Sequence, residues 1–361
     1  MNRCSYKTLL LLLPLLVLII SCSGKDKNPV KPKQTKYKYD PPSTEPLDPF
    51  VQNQLLAKSI NLSTLEAESE AAWGRMLDEE YFQLIKDIGF TAIRLPVRWS
   101  THMMDTAPFT VDEAWLQRVE WAVNQALSRD LAIIVNSHHF DGIFDEPDTY
   151  REKFLASWET IAEYFKNYPD ELFFEILNEP NANLTPAKWN ILLKDALAII
   201  RKTNPGRTVI IGPTNWNGYD ALPGLDLPED DQNIIVTFHY YLPFNFTHQG
   251  AGDWVDGANE WLGTKWIGSI NERNMVDSHL DFAVRWAQQH NRPLFLGEFG
   301  SYYRADNNSR LVWTSYIARS AEDRSISWGY WEFHSGFGVY DPDSKKWNDY
   351  LIYALLEKKL E

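Results

Sequence analysis

Eight short apolar runs alternate along the chain with longer segments in which apolar residues recur every three or four positions. The runs are Ser59–Asn61, Ala92–Leu95, Leu131–Asn136, Leu172–Leu177, Thr208–Ile211, Asn233–Phe238, Pro293–Leu296 and Ile326–Trp331. Such runs are too short for stable helices, and apolar residues at consecutive positions suit strands buried on both faces, as in a parallel sheet. The helical pattern runs through Glu79–Ile88, Glu113–Leu127, Tyr150–Tyr168, Pro186–Lys202, Met275–Gln289, Arg310–Ala321 and Trp347–Leu360. The fifth connection, Tyr219–Asp231, is Pro-rich and irregular, so any helix there is short. Strand and helix alternating in this way predict an α/β fold, a single (β/α)8 TIM barrel. An open doubly wound sheet shares the alternation but calls for a Gly-rich phosphate loop after the first strand, and the chain has none there.

Polar residues enter where these runs stop. Leu172-Phe173-Phe174-Glu175-Ile176-Leu177 runs on into Asn178-Glu179-Pro180. Pro180 ends the strand and biases Glu179 towards extended backbone. Pro293–Gly300 closes on Glu298, where Gly297 and Gly300 let other groups approach closely. Barrel enzymes build their active sites at the carboxyl ends of the strands. The residues that close the runs form one set there: Arg94, His138, Asn178 with Glu179, Trp216, His239 with Tyr241, Glu298 and Trp331. Either glutamate alone would read as a salt-bridged strand-end carboxylate; two together are the minimum apparatus for glycoside hydrolysis. His138-His139 raises a metal reading. Successive strand residues point to opposite faces, however, and no HExxH, cysteine ligand or acidic Ca²⁺ loop accompanies them. The expectation is no metal and no cofactor.

The ordered set Arg94-Leu95-Pro96, Asn136-Ser137-His138-His139, Leu177-Asn178-Glu179-Pro180, His239-Tyr240-Tyr241, Gly297-Glu298-Phe299-Gly300 and Trp331-Glu332 resembles glycoside hydrolase family 5. The likeness runs from Phe50 to the C-terminus, and Phe238–Ala251 is similar to a subgroup of endo-β-1,4-glucanases from thermophilic bacteria, some of which also cleave mannans. The resemblance implies Glu179 as acid/base and Glu298 as nucleophile. It implies that Asn178 bonds the sugar 2-hydroxyl, that Arg94 and Tyr241 keep Glu298 ionised and aimed, and that His138 and His239 orient the sugar and Glu179. Trp331 would lie beneath the sugar, Trp216 and Trp254 would stack at neighbouring positions, and His139 would touch the sugar. One stretch departs from the family pattern. Where Asn-x-Gly-Asn is common, this chain reads Asn61-Leu62-Ser63-Thr64, so the sugar contacts of that loop are expected to differ. Glu332 is expected to be structural and Asp341-Pro342-Asp343 to form a turn.

Composition narrows the partners. Thirty-five basic against 49 acidic residues give a net charge of −14, which argues against nucleic acid. With 15 Trp, 17 Tyr and 18 Phe the chain carries more aromatic rings than packing requires, and flat sugar faces stack on such rings. Trp115, Trp121, Trp158, Trp189, Trp286 and Trp313 fall in helical patterns and belong to the core. Both cysteines, Cys4 and Cys22, precede the globular part, so the body has no disulfide and no cysteine metal site. Arg3 and Lys7, an apolar stretch Leu9–Ile20 too short to span a bilayer comfortably, and Ser21-Cys22 resemble a bacterial lipoprotein signal. The expected organisation is a removed signal at 1–21, an acylated Cys22 heading a flexible tether to residue 46, and a catalytic barrel over 47–361. An ordinary secretory signal or uncleaved anchor is the alternative. The whole reads as a monomeric, retaining, endo-acting hydrolase of β-1,4-linked glucan. It would be held in the cell envelope, at the outer membrane or cell surface, by its lipid. A β-mannanase or glucomannan-cleaving enzyme of the same family and a non-catalytic glycan-binding lipoprotein are the competing readings.

Overall fold

The eight apolar runs are eight parallel strands in a computed structural model of the chain, which describes residues 37–357. They are β1 Lys58–Asn61, β2 Ala92–Leu95, β3 Ala132–Asn136, β4 Leu172–Glu175, β5 Val209–Ile211, β6 Ile234–His239, β7 Leu294–Phe299 and β8 Ser327–Tyr330. Each pairs with the next, and β8 returns to β1 through Lys58 opposite Trp328, Ser59 opposite Gly329 and Ile60 opposite Tyr330. The sheet is therefore a closed barrel with no free edge, and the open doubly wound alternative falls. The expected signal and Cys22 lie outside the described residues. Among the described residues, no helix is long and apolar enough to cross a membrane.

Helices alternate with the strands where the 3.6-residue pattern placed them, with ends shifted by local capping. The helix expected at Tyr150 starts at Pro147, since proline loses nothing at a first helical position. The helix expected at Met275 starts at Ile270, because Ser269 and Glu272 form a reciprocal capping box. The fifth connection is irregular, as expected, with only a single turn at Thr214–Asn217 and a short 3-10 helix at Tyr219–Gly224. Asp341-Pro342-Asp343 does turn, at the end of a two-stranded hairpin, where Asp341 accepts from the Asp343 amide at 3.0 Å and the Ser344 hydroxyl at 2.6 Å.

The two-residue side-chain period of a strand sorts each run into two faces. Outward residues such as Ile93, Ile133, Phe174 and Leu296 pack with the helices in the main core. Inward residues Ala92, Ala132, Ile134, Phe173, Ile210, Ile235 and Phe295 form a separate plug with Leu56. Two positions further along, the inward residues turn polar: Arg94, Asn136, Glu175 and Thr237, with Asn61 beside them, all buried. The barrel is thus apolar near its floor and polar beneath its mouth.

The floor is closed by the helix Pro49–Leu55, whose N-cap Asp48 accepts from the Phe50 amide at 2.9 Å. Asn53 donates to the Leu294 carbonyl at 3.0 Å, and its own carbonyl accepts from Ser327 at 2.7 Å. The compact unit begins at Lys38, well before residue 47. The Tyr39 hydroxyl donates to Asn124 at 2.8 Å, its ring lies 5.8 Å from that of Tyr168, and the Ser43 amide donates to Asp170 at 2.9 Å. The Lys- and Pro-rich composition that reads as tether conceals these anchoring side chains, so its last residues are a strap on the barrel. Two cavities of about 720 and 790 Å³ flank the floor helix and hold none of the strand-end residues.

Candidate active site

At the centre stands Arg94, fully buried, one step above the apolar plug. Its guanidinium grips Glu175 with two bonds of 2.6 and 2.7 Å, and donates to Glu298 at 2.7 Å, Asn61 at 2.9 Å and Asn178 at 2.7 Å. These groups come from β1, β2, β4 and β7 and from the loop after β4, so the contacts cross the barrel interior. Burial works against the charge of Arg94, but Glu175 and Glu298 outweigh it, and the guanidinium is held above its ordinary range. A buried cation of this kind persists only when its donors are satisfied.

Glu298 is the better enclosed of the two glutamates, its side chain 6% exposed against 27% for Glu179. Besides Arg94 it accepts from the Tyr241 hydroxyl at 2.9 Å. Burial raises its carboxyl, while Arg94 and the Tyr241 hydroxyl pull against that rise. Gly297 makes room beside it, since a Cβ there would collide with the Thr237 hydroxyl. Among the described residues no arginine bonds Glu179. Its Oε1 lies 2.8 Å from His239 Nδ1, and burial pushes its carboxyl up to about 7. Burial takes the His239 imidazole down to about 4, so the ring is neutral, and its other nitrogen lies 3.3 Å from the Asn217 amide. One oxygen of Glu179, one of Glu298 and one ring nitrogen of His239 all lie within 4.8 Å of one another.

Glu179 departs from the expected backbone. Its φ is 48°, in the left-handed region, although Pro180 follows. β4 ends at Glu175, so Asn178 and Glu179 lie on the turn beyond it. That turn is pinned by the Asn178 amide on the Ser137 carbonyl at 2.9 Å and by Asn181 Nδ2 on the Glu179 carbonyl at 2.7 Å. A sparsely populated backbone held by its surroundings is common at working sites.

His138 and His139 likewise lie beyond the end of β3 at Asn136, so the opposite-face argument does not apply to them. Their rings meet edge to face at 4.7 Å, and Glu66 comes within 4.8 Å of both. His138 lies 3.3 Å from Glu66 and 3.4 Å from the Asn178 amide, and its ring is parallel to Trp331 at 5.4 Å. It reaches Asn178 and not Glu179, so of the two histidines only His239 holds that carboxyl. Burial lowers the His138 imidazole well below its usual range and takes His139 to about 4, while burial raises the Glu66 carboxyl. Trp331 is half-buried in this wall. Trp216 and Trp254 stand 55% and 57% exposed on the rim. Trp254 lies 5.4 Å from His248 and 6.3 Å from Phe337.

Reasoning from the sequence passed over Glu175, Glu66 and Asn217. Glu175 could have been found: a carboxylate inside a run buried on both faces demands a cation, and Arg94 occupies the equivalent inward position on β2. Glu66 and Asn217 lie in irregular segments and carry no such signal.

A family model described as Cellulase (glycosyl hydrolase family 5) matches residues 54–336. Endoglucanase H of Acetivibrio thermocellus is 39% identical over 324 residues, and Cellulase/esterase CelE of the same organism is 32% identical over 319. The matches cover 87% and 82% of this chain but only 34% and 36% of those proteins, so the chain spans about a third of their length. Among solved structures, Thermotoga maritima Cel5A in complex with cellobiose superposes with a TM-score of 0.84 at 46% identity, covering 86% of this chain and all of that one. The same protein in complex with mannotriose gives the same values.

Proposed function

Because this chain belongs to the cellulase family, glycosyl hydrolase family 5, we propose that it cleaves β-1,4-linked glucan within the polymer, with retention of anomeric configuration. The observation that carries this reading is the asymmetric pair Glu179 and Glu298. Their oxygens lie within 4.8 Å, and a retaining mechanism needs carboxyl groups about 5–5.5 Å apart. Glu179, with a pKa of about 7, keeps a proton to give. Glu298, bonded to Arg94 and Tyr241, is the carboxylate.

Glu179 protonates the glycosidic oxygen as its bond to the anomeric carbon breaks, and Glu298 attacks that carbon from the other face. The glycosyl ester so formed is opened by water, whose proton goes to Glu179, now a carboxylate. Both groups then stand as they began. Asn178, held by Arg94, is placed to bond the 2-hydroxyl, and Trp331 forms the platform under the sugar. Trp216 and Trp254 extend stacking along the rim, as an endo-acting enzyme requires. Mannan is the second substrate reading, favoured by the mannotriose complex of the Thermotoga maritima structure.

The test is product release from carboxymethylcellulose, mixed-linkage β-glucan, glucomannan and galactomannan. Glu179→Gln and Glu298→Gln should each lose about a thousandfold or more of the wild-type rate. NMR should find the β-anomer first; an α-anomer would rule out retention, and binding without cleavage by the wild type would favour a glycan-binding protein. The location reading rests on Cys22 after the apolar stretch Leu9–Ile20. It places the enzyme in the cell envelope on a lipid, and Cys22→Ala should move it from the membrane to the soluble fraction.

A further inference from the structure

The loop that departs from the family pattern makes a contact of its own. Ser63 and Thr64, both buried, stand just past β1. The Ser63 hydroxyl donates to Glu332 Oε2 at 2.7 Å, and the Thr64 hydroxyl lies 3.0 Å from His334 Nε2. The other Glu332 oxygen accepts from the amides of His334, at 3.1 Å, and Ser335. Glu332 is wholly buried, and both oxygens of its carboxyl group have donors inside the protein. Immediately before it in the chain is Trp331.

Trp331 is held from its other side as well. Its amide donates to the Phe299 carbonyl at 2.9 Å, and a Cβ on Gly300 would collide with its carbonyl. Its ring faces His138 in parallel at 5.4 Å. The Phe333 amide donates to the Asn61 carbonyl at 3.0 Å. The backbone carrying Trp331 is thus tied to β7 before the ring and to the β1 loop after it. Ser63 provides the one side-chain hydroxyl on the Glu332 carboxylate.

We propose that Ser63 and Glu332 are positioning residues, a buried clasp that sets the tilt of Trp331 and so the grip on the sugar above it. The proposal rests on the reading of Trp331 as sugar platform. A hydroxyl bond to a buried carboxylate is among the stronger neutral-to-charged contacts, and removing the donor leaves the acceptor unsatisfied. With Ser63→Ala the carboxylate seeks another donor and carries Trp331 with it. Among the described residues no hydrogen bond joins Glu179 or Glu298 to Ser63 or Glu332, so the two keep their geometry.

The experiment measures KM and kcat on soluble mixed-linkage β-glucan for wild type, Ser63→Ala, Ser63→Thr and Glu332→Gln. Ser63→Ala should raise KM about fivefold to tenfold while kcat and its pH profile stay within about twofold. Ser63→Thr, which keeps the hydroxyl, should restore the wild-type KM. A merely structural bond would lower the melting temperature and leave KM alone, and that result overturns the proposal. Should Ser63→Ala not fold, Glu332→Gln keeps the shape and reads the same split. A crystal structure of the variant separates this proposal from the functional reading. A displaced Trp331 ring supports the clasp even if the wild type cleaves none of the glucans, and a superimposable ring ends it.

Discussion

At the residue scale the proposed chemistry depends on two glutamates being treated differently by their surroundings. Glu298 is buried and has Arg94 and Tyr241, while Glu179 is half-buried and has a neutral histidine. If Glu179 is the proposed acid, its protonated form is the working one, and kcat/KM should fall tenfold per unit as pH rises beyond about 7. A rate profile flat from pH 6 to 9 would remove Glu179 from the acid role. The same shift has a cost in stability. The folded state holds a proton that the unfolded chain releases near 4.5, so stability from this group is present at low pH and lost between 4.5 and about 7. Glu179→Gln should therefore melt higher than wild type at pH 8, with the gap closing at pH 4, as calorimetry can check.

At the element scale each barrel strand carries two messages two residues apart, apolar inside near the floor and polar inside beneath the mouth. The strand runs were legible because consecutive apolar residues have few other solutions. The floor strap was not, because Lys38–Pro46 looks like linker and only three-dimensional proximity reveals Tyr39 against Tyr168 and Asn124. Tyr39→Ala should lower the melting temperature by about 2–4 °C, from the lost ring contact and hydrogen bond, without changing kcat. An unchanged melting temperature would make the strap incidental.

At the scale of the whole molecule, floor and mouth are separate. The chain enters the compact unit at Lys38 beside the floor, and the glutamates stand at the carboxyl ends of the strands. On the proposed lipid anchor and glucan substrate, the Cys22→Ala protein should keep the wild-type kcat on soluble glucan and move to the soluble fraction.

Much of this was written in the order of residues. Hydrophobic period decides strand against helix locally, so eight runs alternating with helices sufficed for the barrel, and strand-end position sufficed to collect Arg94, Asn178, Glu179, His239, Tyr241 and Glu298. What the chain order could not contain was distance between elements far apart in sequence. Arg94 on Glu175, Ser63 on Glu332 and Glu66 beside His138 arise only when barrel closure brings β1 against β8 and points the strand interiors at one another. The left-handed turn at Glu179 is of the same kind. Local preference before a proline favours extended backbone, and the tertiary bond of the Asn178 amide to the Ser137 carbonyl, joined by the local bond of Asn181 to the Glu179 carbonyl, overrides it. Sequence determined which residues reach the mouth; closure of the barrel decided which of them touch, because a carboxylate takes its pKa from neighbours that the linear order leaves dozens of residues away.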